Sequence, residues 1–193
     1  MKKILLFIAL FFPFILFAAN NIEKIDGRSK YLMDMDADID PESYLVNHQD
    51  DELFEIVNFK NGTSNKDDNI KNYRGRIVIL HFWATWCGHC INEMKDLDEL
   101  AAILRKKEIK DIEIIPISVD GENISVVKNF YAANAIENLG VFHDRQNVYM
   151  ASLGRSSIPL TFIIGRDGKQ ITVANGPVPW NNNSIVDYLK SLL

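Results

Sequence analysis

The sequence predicts an α/β domain with a central mixed β-sheet flanked by helices. Three observations point there. Apolar, β-rich runs at residues 77–83 and 112–120 alternate with stretches of helical periodicity. The first run is almost continuously apolar, as a strand covered on both faces should be. A late pair of β-rich runs, 160–164 and 170–174, is joined by an Asp167-Gly168 turn and adds antiparallel strands.

Taken in order, the chain opens MKKILLFIALFFPFILFAA, two lysines ahead of an apolar run of 16 residues. A cationic start, a short apolar stretch and Ala18-Ala19 read as a secretory signal over residues 1–19. The run is shorter than the roughly 20 residues that cross a bilayer comfortably. Leu16 and Phe17 stand where a cleavage site prefers a small residue, so a cleaved signal and an uncleaved membrane anchor are both carried forward. Either places the folded part in the periplasm or otherwise outside the cytoplasm, soluble or tethered to the inner membrane. Residues 20–50 form a polar arm whose centre, DMDADIDPES, lacks the turn glycine and closing glutamate of a calcium loop. Its Tyr31, Leu32, Met33, Tyr44 and Leu45 are the side chains able to dock on a domain.

Residues 51–193 are expected to form that domain. Phe54, Ile56 and Asn58 alternate with Glu55 and Val57 as an edge strand, and Lys60-Asn61-Gly62 supplies the turn into a hairpin or loop. Residues 63–74 are polar and are expected to connect over the surface. After the 77–83 strand, Met94, Leu97, Leu100, Ala101 and Leu104 recur at spacings of three and four. They stand against Glu93, Lys95, Asp96, Asp98 and Glu99, which predicts a helix ending near Lys106 or Lys107. Pro116 argues for an irregularity in the 112–120 strand. Asn123 or Ser125 opens a second helix, residues 139–145 are a short extended piece, and residues 147–153 a short helix or turn. Residues 183–193 close the chain as a helix with Ile185, Leu189, Leu192 and Leu193 on one side.

The 193 residues carry a formal charge of −5, which becomes −7 if Lys2 and Lys3 are removed. No basic patch or stripe is visible, which argues against nucleic acid as a partner. The chain has two cysteines, Cys87 and Cys90, both inside FWATWCGHC. A bridge between them closes almost no loop and constrains the unfolded chain little, so its value would lie in chemistry. Cys87 stands just past the predicted strand and at the first turn of the predicted helix, where free N–H groups and the helix dipole favour a thiolate. Cys90, one turn on, should be more enclosed. Cys87 would then attack a substrate sulfur and Cys90 would resolve the mixed disulfide. His89, as imidazolium, would favour the Cys87 thiolate. Trp83 is expected between sheet and helix, and Trp86 as cover for the thiols. Metal binding is the competing use of Cys87, His89 and Cys90. A structural zinc site wants four ligands, usually with a second cluster, and His48, His81 and His143 are the remaining histidines. No metal and no cofactor are therefore assigned.

The strand and the WATWCGHC motif resemble the thioredoxin superfamily. ILHFWATWCGHCINEM is similar to its extracytoplasmic TlpA, ResA and CcmG-like branch, over roughly residues 52–193. SSIPLTFIIGRDGKQI resembles the family segment with a cis-proline before a sheet hairpin, and GPVPW its closing glycine region. The resemblance implies a thioredoxin-like fold with a TlpA-like central insertion, supplied by residues 121–140 with Glu122 as an acidic neighbour. It implies a thiol:disulfide oxidoreductase using a Cys87-Gly88-His89-Cys90 redox pair, with Trp86, Ile158 and Pro159 meeting substrate. Three departures stand out. His81 replaces the family's buried aspartate six positions before the first cysteine, and would respond near pH 6–7 if it faces Cys90. Gly88-His89 resembles protein disulfide isomerase and implies a less reducing pair than thioredoxin's. Lys95 replaces a proline, which implies a straighter helix. The partners implied are protein thiols and disulfides, apocytochrome c among them before haem attachment, and a membrane thiol protein as electron donor. An oxidase or isomerase is the alternative, and a peptide-binding chaperone or copper carrier a further one.

Overall fold

The structure is a computed structural model, and it describes residues 38–47, 58–145, 148–153 and 157–193. The 1–19 segment, most of the polar arm, and Phe54 and Ile56 of the expected edge strand lie outside the described residues. None of the described helices is long and apolar enough to cross a membrane.

Eight strands form one mixed sheet. They are β1 (Val46–Asn47), β2 (Asn58–Asn61), β3 (Asp67–Asn69), β4 (Ile77–Trp83), β5 (Ile112–Ser118), β6 (Phe142–His143), β7 (Leu160–Ile164) and β8 (Gln170–Asn175). Their spatial order is β1-β8-β7-β4-β5-β6-β2-β3. β4 runs parallel to β5 and antiparallel to β7, and β5 runs parallel to β6. The helices are α1 (Gly88–Lys106), α2 (Ile124–Asn134), α3 (Val148–Ser152) and α4 (Asn183–Ser191). The thioredoxin-like arrangement expected from the sequence is present.

Every residue of β4 is buried, as its unbroken apolar run requires. α1 forms because Cys90, Met94, Leu97, Leu100 and Leu104 bring one stripe against the core while Arg105 and Lys106 stand at its C-terminal pole. With Lys95 in place of proline, α1 is continuous over 19 residues. Burying each large apolar side chain in that stripe contributes about 1.5–3 kcal/mol. Residues 121–140 contain α2, whose N-cap is Asn123 and whose Ala135 closes it in the left-handed conformation.

Several local expectations are corrected. Residues 63–74 are more than a surface connection: β3 pairs with β2, and Ile70, in a 3-10 turn, is buried in the core. Glu93 and Asp98, placed on the polar side of α1 by periodicity, are both buried. Asp98 accepts from the backbone N–H groups of Glu137 and Asn138 at 3.0 and 2.6 Å, tying α1 to the segment after α2. Pro116 sits in a regular strand, because β6 reaches only Ile117 and Ser118 and leaves β4 as the sole neighbour there. Leu193 is exposed, and Val186 joins Ile185 and Leu189 on the inner side of α4. Residues 38–47, assigned to the arm, supply β1 and the buried Leu45.

Leu97 is fully buried at the centre of the α1 stripe. Leu97→Ala should lower the unfolding free energy by about 2–5 kcal/mol, read as a lower urea midpoint. A midpoint equal to wild type would show that α1 is not packed as described.

Candidate active site

The register of three strands assembles the site. Trp83, the last residue of β4, lies opposite Ser118 of β5, and Phe82 lies opposite Leu160 of β7. Whatever follows Ser118 and whatever precedes Leu160 therefore flank the loop that leaves β4, residues 84–87. Cys87 ends that loop as the N-cap of α1, and its Sγ accepts from the Cys90 N–H at 3.3 Å. An acceptor at this position satisfies one of the free N–H groups of the first turn.

Cys87 and Cys90 are joined as a disulfide. Their surroundings differ in the expected sense: Cys87 is 9% exposed and Cys90 is 0% exposed. The opening at Cys87 is narrow. On one side its Sγ lies 3.9 Å from the carbonyl oxygen of Ile158. The Ile158–Pro159 peptide bond is cis, and Pro159 is buried while Ile158 is half-buried. Trp86, the residue before Cys87, is 70% exposed. Gly88 and His89 are exposed on the first turn of α1. Trp83 is fully buried and packs on α2, with ring centroids 5.0 Å from Phe130 and 6.0 Å from Tyr131.

His81 is fully buried in β4. Its Nδ1 lies 2.9 Å from Thr161 Oγ1, and its Nε2 has no hydrogen-bond partner among the described residues. Burial pushes its pKa down to about 3. The response near pH 6–7 expected from the sequence is therefore replaced by an imidazole that is neutral across that range.

The buried acid that the periodicity placed on the polar side is Glu93. It is 2% exposed and stands one turn after Cys90 on the same helix. Its Oε1 accepts from the Trp180 indole at 2.6 Å and from the Val178 N–H at 3.2 Å. Its Oε2 has no partner among the described residues. Burial pushes its pKa up to about 8, helped by the nearby Asp96 and opposed by the two hydrogen bonds. The available signal was its spacing of three from Cys90, which puts both on one stripe of α1. Glu122, named as an acidic neighbour, is exposed. Asp120 instead reaches the nucleophile's loop, accepting from Thr85 N–H and Oγ1. Among the described residues, no group of three or more His, Cys, Asp or Glu side chains is placed to hold a metal.

Glu93 gives a pH prediction whose sign can be worked out. Its folded pKa, about 8, lies above the ordinary 4.5, so the folded state holds a proton that the unfolded state releases. Stability should therefore fall as pH rises from about 5 to about 8. Glu93→Gln keeps an oxygen acceptor for Trp180 and Val178 and removes the charge. Subtracting its Tm-versus-pH curve from that of wild type should leave a decline across this window, at about 2–4 °C for each kcal/mol. Parallel curves would show that Glu93 is not a buried acid.

Comparison with known proteins agrees with this geometry. Residues 54–172 match the AhpC/TSA family. The thiol-disulfide oxidoreductase ResA of Geobacillus thermodenitrificans is 29% identical over 127 residues, covering 66% of this chain and 69% of that protein. ResA of Bacillus thuringiensis is 32% identical over the same length, with the same coverage. Among solved structures, a putative thiol:disulfide interchange protein DsbE from Chlorobium tepidum superposes with a TM-score of 0.61 at 20% identity, over 73% of this chain and 95% of that one. The exposed lipoprotein thioredoxin Etrx1 from Streptococcus pneumoniae gives 0.57 at 26% identity, over 70% and 98%. The buried pair at the head of α1, the proline beside it and these relatives agree: the chain belongs to the AhpC/TSA family of thioredoxin-like proteins and is a thiol-disulfide oxidoreductase similar to ResA.

Proposed function

We propose that this protein is exported and reduces disulfides in extracytoplasmic protein substrates, the apocytochrome c disulfide whose two thiols are needed for haem attachment among them, drawing electrons from a membrane thiol protein. The observation that supports this reading best is the unequal burial of Cys87 and Cys90 at the N-terminus of α1. One sulfur can be reached and the other cannot. The lysines and apolar run of residues 1–19 support export, and the relatives named thiol-disulfide oxidoreductase ResA support thiol–disulfide exchange.

In the reduced protein the Cys87 thiolate attacks a substrate sulfur. A Cys87–substrate bond forms, the substrate S–S bond breaks, and one substrate thiol leaves. Cys90 then loses its proton and attacks Cys87 Sγ, releasing the second substrate thiol. The protein dithiol is oxidised to a disulfide and the substrate disulfide is reduced to two thiols. The Cys90 proton must leave from a fully buried site. Glu93, one turn along with an unbonded oxygen, is the group we assign to take it, acting through the ionised fraction that a carboxyl near 8 keeps close to neutral pH. Ile158 and Pro159 form the wall against which substrate lies, with Trp86 at its edge. His81 and Trp83 support the strand behind the pair, and Gly88 permits approach.

A second reading is favoured by His89, exposed between the cysteines. An imidazolium there stabilises the thiolate, raises the potential and suits oxidation or isomerisation. His89→Pro should therefore lower the reduction potential measured against glutathione. A rise would remove the electrostatic role of His89.

The direct test is capture. Cys90→Ser should accumulate mixed disulfides through Cys87 in the native envelope, and Cys87→Ser should accumulate none. Apocytochromes in the trap would support maturation, a broad set of secreted proteins would support general disulfide chemistry, and an empty trap would overturn the assignment of roles.

A further inference from the structure

Asp120 lies two residues past the end of β5, and its carboxylate is engaged almost entirely by the loop that delivers Cys87. Thr85 N–H donates to it at 3.2 and 3.0 Å, one distance to each oxygen, and Thr85 Oγ1 donates at 2.6 Å. Ser118 Oγ donates at 2.7 Å and in turn accepts from the Asp120 N–H at 3.1 Å. Ser118 is fully buried in β5, so the clamp is anchored in the sheet. Val119 N–H to Trp83 O at 2.8 Å and Cys87 N–H to Ala84 O at 3.2 Å complete the joint. Charge-assisted bonds of this kind are about twice as strong as neutral ones. Ala84 is already fully buried and Trp86 is exposed, so the burial of this loop does not itself require such an anchor.

We propose that Asp120 is a positioning residue that holds the Cys87 loop in its attacking geometry while its fixed negative charge restrains the Cys87 thiolate. The Asp120 carboxylate lies 3.0 Å from Thr85 N, and Thr85 and Cys87 are two residues apart, at most about 7 Å between Cα atoms. The sum is on the order of the 8–10 Å over which charges act at ordinary ionic strength. Cys87 thus has the Ile158 carbonyl on the β7 side, His89 and Cys90 on its own helix, and Asp120, through Thr85, on the β5 side. Asp120 and His89 pull in opposite directions: the carboxylate disfavours the thiolate that an imidazolium favours. A less stable thiolate destabilises the reduced pair and makes it a stronger reductant. The inference rests on Cys87 being the attacking sulfur.

Two variants separate geometry from charge. In Asp120→Asn the amide oxygen still accepts from Thr85 and the amide N–H₂ can donate to the Ser118 hydroxyl, so the clamp is kept and the charge lost. In Asp120→Ala both are lost. The experiment measures the pH dependence of iodoacetamide alkylation of the reduced full chain, maps the labelled cysteine, and follows reduction of insulin under a small dithiol. In both variants the alkylation profile should move about half a pH unit lower, as removal of a like charge requires. Insulin reduction by Asp120→Ala should fall about tenfold, because a loosened nucleophile loses orientation, while Asp120→Asn stays within about threefold of wild type. If Asp120→Ala does not fold, the Asp120→Asn profile decides alone. A wild-type profile in Asp120→Asn, or a wild-type insulin rate in folded Asp120→Ala, overturns the proposal. Label on Cys90 instead of Cys87 overturns the reading of Cys87 itself, and so is distinguishable from failure of the Asp120 assignment.

Discussion

The handover from β4 to α1 governs the rest of the molecule. β4 is buried along its whole length and held on one side by β5 and on the other by β7. α1 is held by an apolar stripe that begins at Cys90 itself. Between two elements so firmly seated, the four residues 84–87 have little freedom. The sulfur at their end is placed by packing that lies mostly far from it. Because the neighbouring strands are in register, the loop leaving β5 and the loop entering β7 arrive at the same level as Cys87. An aspartate from one and a carbonyl from the other can then meet at a point that no single segment defines.

The interior near this joint holds polar groups among its Ile, Leu and Phe side chains. His81, Glu93 and Thr161 are all buried. Desolvation keeps His81 neutral and favours the neutral form of Glu93, so neither is held as an isolated buried charge at neutral pH. Each still leaves one polar atom without a partner among the described residues. Such half-satisfied groups lower stability, and they sit on β4 and α1, the two elements that the Cys87 loop joins.

Much of the fold was legible in the sequence, and its failures have physical causes. β4, β5, β7, β8, α1 and α4 follow from apolar periodicity and turn residues, since each buries a continuous face. The turn at Lys60-Asn61-Gly62 allowed a hairpin or a loop, and β3 itself was not assigned because Asp67, Asp68 and Asn69 are polar edge residues held by backbone pairing, which leaves no apolar pattern. Cys87, Cys90 and Pro159 were visible as a motif. Glu93 was not, because a charged residue on a helix is ordinarily solvated, and only the Trp180 indole arriving from 87 positions away shows otherwise. Asp120 was hidden for a similar reason: its meaning depends on which strands are neighbours.

The difference in burial between the two sulfurs also determines how the oxidised protein is recharged. An incoming thiol can approach the Cys87–Cys90 bond only from the Cys87 end, since Cys90 presents no surface. The leaving sulfur is then always the enclosed one, whichever donor arrives. A donor protein therefore has no choice of regiochemistry. Under the proposed function, electron donor and substrate would both have to reach Cys87 beside the Ile158 carbonyl, and would be served in turn.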